Sequence, residues 1–241
     1  MGRRTRHLIR NALSAVVLVC GAMGAQAQTP EGWSIGLIGV GSTSPYVGEE
    51  TTGQILPFLS YRTEQFAVGL DGASYTFLDT GGTEASAILR PRFAGIDDDV
   101  AELAGIDRDL TLDFGLGLGF DAAPGLRFKG YAVQEITGQH QGQEISLRVE
   151  HQVAGLPLAV YAGADWQSAE LTEYLFGVRP GEAIAGRPAY APGAAVTPFI
   201  GVRGFLPLSD RSALVGGIEV RQFGDAITDS PIVDEDGTIS A

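Results

Sequence analysis

Asp109-Leu-Thr-Leu-Asp-Phe-Gly-Leu-Gly-Leu-Gly-Phe120 decides the fold. Leu110, Leu112, Phe114, Leu116, Leu118 and Phe120 alternate with Thr111, Asp113, Gly115, Gly117 and Gly119. One face is bulky and apolar, while the other is small or polar, with Asp113 opposite Phe114. Strict period-two alternation over about eleven residues is the length of a tilted strand crossing a bilayer. The glycines open no helix, so this is not a phosphate-binding loop.

The N-terminus explains how such a strand would reach a membrane. Arg3, Arg4, Arg6 and Arg10 form a positive region, Ala12 to Val19 a short apolar one, and Ala25-Gln26-Ala27 a cleavage site. Residues 1–27 therefore read as a signal peptide and 28–241 as one barrel domain. Cys20 follows Val19, where a lipoprotein signal would carry a small residue, so Cys20 is expected to leave with the signal. The mature chain then holds no cysteine, and neither a disulfide nor a thiolate metal site is expected.

No later run approaches the roughly eighteen apolar residues of a membrane-spanning helix. Anything embedded in lipid must then be a closed barrel, because open strands there leave backbone groups unpaired. The formal charge of −13 becomes more negative once the signal arginines are lost, with Lys129 the lone lysine. Such a chain is a poor nucleic-acid binder.

Further strands are expected at Trp33 to Val40, Gln54 to Tyr61, Phe66 to Phe77, Glu84 to Phe93 and Leu126 to Ile136. Others follow around Ile145 to Val153, Leu156 to Trp166, Ala194 to Leu206 and Ser212 to Phe223. Pro57, Pro91 and Pro198 are expected at strand ends or bulges. Tyr61, Phe66, Phe120, Trp166, Phe205 and Phe223 sit near strand ends, as interfacial girdles would. If Arg62 to Gln65 and Pro207 to Asp210 are both short periplasmic turns, an even number of strands separates them, yet only about seven are readable. The discrepancy points to the acidic stretch from Phe93 to Asp109, which also reads as holding one helical turn. An all-β antiparallel barrel of about twelve strands is expected, with ten as the alternative.

The second half resembles the MipA/OmpV family of outer-membrane proteins. The resemblance rests on Tyr174-Leu175-Phe176-Gly177-Val178, Tyr190-Ala191-Pro192-Gly193, the turn Pro207 to Arg211, and Gly224-Asp225-Ala226-Ile227-Thr228-Asp229-Ser230-Pro231-Ile232-Val233. Pro45-Tyr46-Val47-Gly48 and Leu59-Ser60-Tyr61-Arg62 agree more loosely. The resemblance implies a barrel in the outer membrane of a Gram-negative bacterium, among lipid and lipopolysaccharide. It implies a scaffold joining a lytic transglycosylase to a penicillin-binding protein, with no family catalytic residues to transfer. Members finish in an aromatic-ended strand. Here the chain reads Thr238-Ile239-Ser240-Ala241, so the closing strand is expected to begin and break off.

Candidate chemistry is sparse. His140 lies in a polar loop near Glu144 and Ser146, a spacing that fits no catalytic triad, and a solvated loop histidine is expected. His151 alternates within a strand and is expected to face headgroups or the lumen. Asp97-Asp98-Asp99 lacks the alternating ligands of a calcium loop. No cofactor motif is present. Arg90, Arg92 and Arg203 are candidates to line a lumen against Asp113 and Glu219. Tyr174, Phe176, Gly177, Val178 and Tyr190 form a candidate partner-contact loop, weighed against simple packing of the barrel mouth. A non-enzymatic scaffold is the reading, with a small channel or adhesin as the alternative. An outer-membrane lipid-modifying enzyme and a soluble periplasmic sandwich trail behind.

Overall fold

The computed structural model describes residues 17–21, 31–49, 51–96, 99–209 and 212–241. Its strands form one antiparallel sheet rolled into a closed ring. They are β1 (Val17–Gly21), β2 (Gly32–Ser42), β3 (Thr52–Arg62), β4 (Phe66–Gly69), β5 (Gly72–Thr80), β6 (Thr83–Arg92) and β7 (Thr111–Ala123). They continue with β8 (Leu126–Glu135), β9 (Gln143–Gln152), β10 (Leu158–Gln167), β11 (Ala195–Ser209), β12 (Ser212–Gln222) and β13 (Gly237–Ser240). Two helices, α1 (Ala169–Phe176) and α2 (Asp225–Thr228), lie outside the wall. No described helix is long and apolar enough to cross a membrane.

β1 and β13 share one stave. β13 pairs with β12 through Glu219↔Ser240 and touches β2 at Ser42, whereas β1 lies between Leu214 of β12 and Leu37 of β2. The ring thus has the twelve positions expected. The edge expected to be left open by a broken closing strand is covered in two pieces, β13 above and β1 below.

The parity conflict resolves at an unexpected place. Phe66 to Phe77 is not one strand but two, β4 and β5, joined through Gly69↔Gly72. Gly72 has φ +116°, and a Cβ there would lie 2.1 Å from the carbonyl oxygen of Leu89, so only glycine fits this turn. Eight strands therefore lie between the two short turns, an even number. The stretch from Phe93 to Asp109 adds no strand. Its described part holds consecutive tight turns, Leu103 N–H to Val100 C=O and Ile106 N–H to Leu103 C=O, rather than a helical turn.

β7 behaves as its alternation requires. Phe114, Leu116, Leu118 and Phe120 are exposed on the outer face, while Asp113 and Gly119 are buried inside. Trp33, Phe66, Phe120, Phe128 and Phe205 lie outward toward the short-turn end, and Trp33 stacks on Tyr61 at 5.0 Å. Phe93, Phe114 and Trp166 lie outward toward the long-loop end. Phe223 is not part of a girdle; its ring packs on Phe176 at 5.6 Å, inside the molecule. Pro91 lies next to the end of β6, and Pro198 one residue past the last β11–β12 pair. Pro57 lies inside β3, where an unpaired edge tolerates it.

The hydrophobic core is not in the wall but at the long-loop end. Tyr46, Leu103, Ile106, Leu171, Tyr174, Leu175, Phe176, Val178, Ile227 and Ile232 form one buried cluster drawn from the loops 43–51, 93–110, 168–194 and 223–236. These loops close the barrel as a cap.

Candidate functional site: the cap and the chamber beneath it

The cap is assembled from the motifs that stand out in the sequence. The Tyr46 hydroxyl reaches the carbonyl oxygens of Ala94 and Leu175, each at 3.2 Å. Burial pushes its pKa up, with Glu49 adding to the effect, so it remains a neutral donor. Ser230 donates to the carbonyl of Phe176 at 2.6 Å, and Ile232 beside it is fully buried. Val47 N–H donates to the Ile232 carbonyl, and Asp234 N–H to that of Pro45. Segments about 190 residues apart thereby lock together.

Two arginines tie this apolar mass down. The Arg108 side chain is 0 % exposed and donates to the carbonyls of Tyr174 (2.6 Å) and Gly177 (3.1 Å) and to both oxygens of Glu182 (2.6 and 3.0 Å). Burial alone would raise the Glu182 pKa, but hydrogen bonds from Arg108 and the Arg179 amide hold it below the usual range. Arg187 donates to the carbonyls of Glu102, Ala104 and Glu182. Sequence reasoning missed both. Arg108 sits between Asp107 and Asp109, so its charge reads as part of a solvated run.

The candidate contact residues lie within this mass. Tyr174, Phe176 and Val178 are buried, and the Tyr174 hydroxyl donates to the Asp109 carbonyl at 2.6 Å. Val178 pairs with Tyr190, whose hydroxyl donates to the Ala226 carbonyl. Gly177 closes α1 through its N–H to Glu173, and a Cβ there would meet that carbonyl at 2.4 Å.

Below the cap, charged side chains fill the upper barrel. Asp113, 2 % exposed, accepts from Arg90 (3.1 Å) and Arg92 (2.6 Å). Glu144 accepts from Arg90 (2.9 Å), Arg92 (3.0 Å) and the Tyr131 hydroxyl (2.6 Å). The period-two pattern sends all five side chains inward from β6, β7, β8 and β9. The expected facing of Arg90 and Arg92 to Asp113 is thus present. Arg203 instead pairs with Glu150, and Glu219 takes Arg148 and Arg221. Arg148 also stacks on Tyr161 at 4.3 Å.

Below this layer the interior opens into a chamber of about 1460 Å³. Its lining mixes Arg127, Lys129 and Arg148 with Glu84, Tyr131 and Ser146, and Arg62, Glu31 and Glu64 line it from the short-turn end. It carries both charge signs and no His–Ser–carboxylate arrangement among the described lining residues.

His140 is not a solvated loop residue. Its ring stacks on Tyr174 at 4.5 Å, and Nδ1 accepts the Gly142 N–H at 2.9 Å instead of donating to a carboxylate. Nε2 is buried without a partner among the described residues. Burial lowers its pKa, against the opposing pull of Glu135. A depressed histidine binds its proton in the unfolded chain first, so its stabilising contribution is present above the ordinary histidine pKa and lost as pH falls below it. Protease resistance of the cap is expected to weaken as pH falls below about 6.5, and His140→Gln is expected to flatten that dependence. An unchanged pH profile in the variant would refute this role. His151 is exposed on the outer face near the short turns. Of the acidic triplet, Asp97 and Asp98 lie outside the described residues.

The comparisons with known proteins agree with this architecture. The family model described as MltA-interacting protein MipA matches residues 35–241. The chain is 27 % identical over 231 residues to outer membrane protein OmpV of Vibrio cholerae, covering 93 % of this chain and 88 % of that protein. It is 26 % identical over 213 residues to outer membrane protein Omp26La of Vibrio anguillarum, covering 86 % and 82 %. No solved structure matches. None of the names is that of an enzyme. A barrel with relatives so named is a protein of the Gram-negative outer membrane, its short turns periplasmic and its long loops outside. With a capped barrel wall and a family model matched over nearly all of it, the chain belongs to the MltA-interacting protein MipA family.

Proposed function

We propose that this outer-membrane protein is a non-enzymatic scaffold that engages peptidoglycan-remodelling machinery from the periplasmic side. The observation that carries it is the asymmetry of the barrel. The outer end is packed shut by the cap and the buried ion pairs, while the chamber faces the periplasm. A through-channel would need the upper barrel free, and it is filled by Arg90, Arg92, Asp113 and Glu144. The matching family is named for interaction with MltA, which supports a lytic transglycosylase as partner; a penicillin-binding protein is the second partner of this proposal. Tyr174, Phe176, Gly177, Val178 and Tyr190 serve this reading by holding the cap, and outward-facing lipid and lipopolysaccharide are its surroundings. We also propose that residues 1–27 are removed on export; β1 leaves with them, and in the exported protein β13 alone holds the twelfth stave.

The test uses the purified barrel as bait for periplasmic extract. Enrichment of a lytic transglycosylase and a synthase over an unrelated barrel is expected, together with silence in planar-bilayer recording. No enrichment, or discrete conductance, would sink the scaffold reading and favour the channel.

A further inference from the structure

The wall has a gap. β4 pairs with β3 only at Tyr61↔Val68 and Arg62↔Ala67, so β3 above Ser60 has no neighbour on that side among the described residues. β5 begins at that turn, Ala73 pairing with Leu89, and only Arg90, Pro91 and Arg92 of β6 rise beyond it. The result is a notch floored by the β4–β5 turn and walled by β3 on one side and the end of β6 on the other. Exposure reflects this. Ile55 and Leu56 are neighbours in sequence and point to opposite faces, yet both are exposed, at 76 % and 39 %. Leu56 thus meets open space on the inner side as Ile55 does on the outer.

The backbone at this edge is reduced in donors. Gly41 and Thr43 of the β2 segment send their N–H groups away from β3, and Thr63 sends its N–H toward β4. The odd-numbered residues of β3 therefore direct their backbone groups into the notch. One of them is Pro57, paired across β2 with Leu37, and it has no N–H. The remaining donors there, Gly53, Ile55 and Leu59, have no strand neighbour on that side among the described residues.

The inner face of β3 has its own pattern. Tyr61 is outward, stacked on Trp33, so Arg62, Ser60, Phe58, Leu56 and Gln54 face inward. Arg62 lines the periplasmic mouth of the chamber and makes no ion pair among the described residues, although Glu31 and Glu64 line the same mouth. Phe58 and Leu56 stand about 13 and 20 Å above it along an extended strand. Half of the hydrocarbon core is about 15 Å thick. A cation at the periplasmic rim, with apolar side chains stacked one acyl-chain length above it beside an opening to the bilayer, matches one kind of molecule.

We propose that a phospholipid of the periplasmic leaflet enters the barrel through the β3–β6 notch, its phosphate held by Arg62 and one acyl chain laid along Phe58 and Leu56. This goes beyond the scaffold reading and does not depend on it. A second copy of this chain is a poorer occupant. Two barrels of the same orientation would present β3 edges running the same way, and parallel pairing is slightly less stable per residue and needs a different register from the rest of the wall.

The experiment places single tryptophans in a Trp33→Phe, Trp166→Phe background, in bilayers of chain-brominated phosphatidylcholine. Leu56→Trp and, independently, Phe58→Trp are expected to be quenched to within about twofold of the outward Ile55→Trp, because bromine quenches only on contact with the chain. Tyr161→Trp, on the opposite inner wall, is expected to escape. Heat-modifiable gel mobility identifies the folded variants. Phospholipid phosphorus retained per barrel after detergent washing is expected to fall several-fold in Arg62→Ala and to recover in Arg62→Lys. Inner tryptophans quenched no more than Tyr161→Trp would overturn the acyl-chain path, and unchanged phosphorus in Arg62→Ala would overturn the phosphate site.

Discussion

Replacing Arg108 with alanine will open the outer cap. The change removes donors from two carbonyls and leaves the Glu182 carboxylate, 11 % exposed, without its main partner. Breaking a buried pair from one side costs about 3–5 kcal/mol, because the surviving charge stays desolvated. The barrel wall does not depend on this contact, so the loss is local. The expected readout is cleavage of the variant by external chymotrypsin at Tyr174, Phe176 or Tyr190 under conditions that leave the parent intact, with the wall still heat-modifiable on gels. Arg108→Met combined with Glu182→Leu should regain much of the resistance, since it removes both charges. If Arg108→Ala is as resistant as the parent, the arginine is not what holds the cap.

The cap also shows where sequence reading succeeds and where it stops. The wall is written in period two, which is local and survives without a partner in view: Leu116 and Leu118 announce lipid, and Asp113 an interior. The missed hairpin has the opposite cause. β4 is only four residues long, and in its turn, Gly69-Leu70-Asp71-Gly72, Leu70 keeps step with the alternation of Phe66 and Val68 and masks the Asp71-Gly72 hairpin signal. The cap is legible as motifs but not as a structure. Pro45 to Gly48, Tyr174 to Val178 and Ser230 to Val233 stand out one by one, yet nothing local tells that Tyr46 will bond to Leu175 or Ser230 to Phe176. His140 was misread as solvated for the same reason: its burial comes from Tyr174, 34 positions away in a different loop.

The strand that gave the fold away supplies a matched pair of carboxylates for the second large effect. Asp113 and Asp121 both lie on β7 and both accept from arginine. Asp113 is buried and serves Arg90 and Arg92 together; Asp121 is about half exposed and serves Arg127, which also has Glu84. Asp113→Ala leaves two guanidinium groups sharing Glu144 alone in the low-dielectric upper barrel, a loss of about 3–5 kcal/mol. Asp121→Ala removes an exposed contact worth about 1 kcal/mol or less. The compact gel form of Asp113→Ala is therefore expected to be lost at a clearly lower temperature or urea concentration than that of the parent, while Asp121→Ala tracks the parent. Salt separates the two further, since the exposed pair is screened at about 0.15 M and the buried one is screened much less. Equal destabilisation by the two substitutions would mean that the charged layer beneath the cap is water-exposed rather than sealed, and that the outer end of the barrel is not closed in the way the chamber's one-sided opening requires.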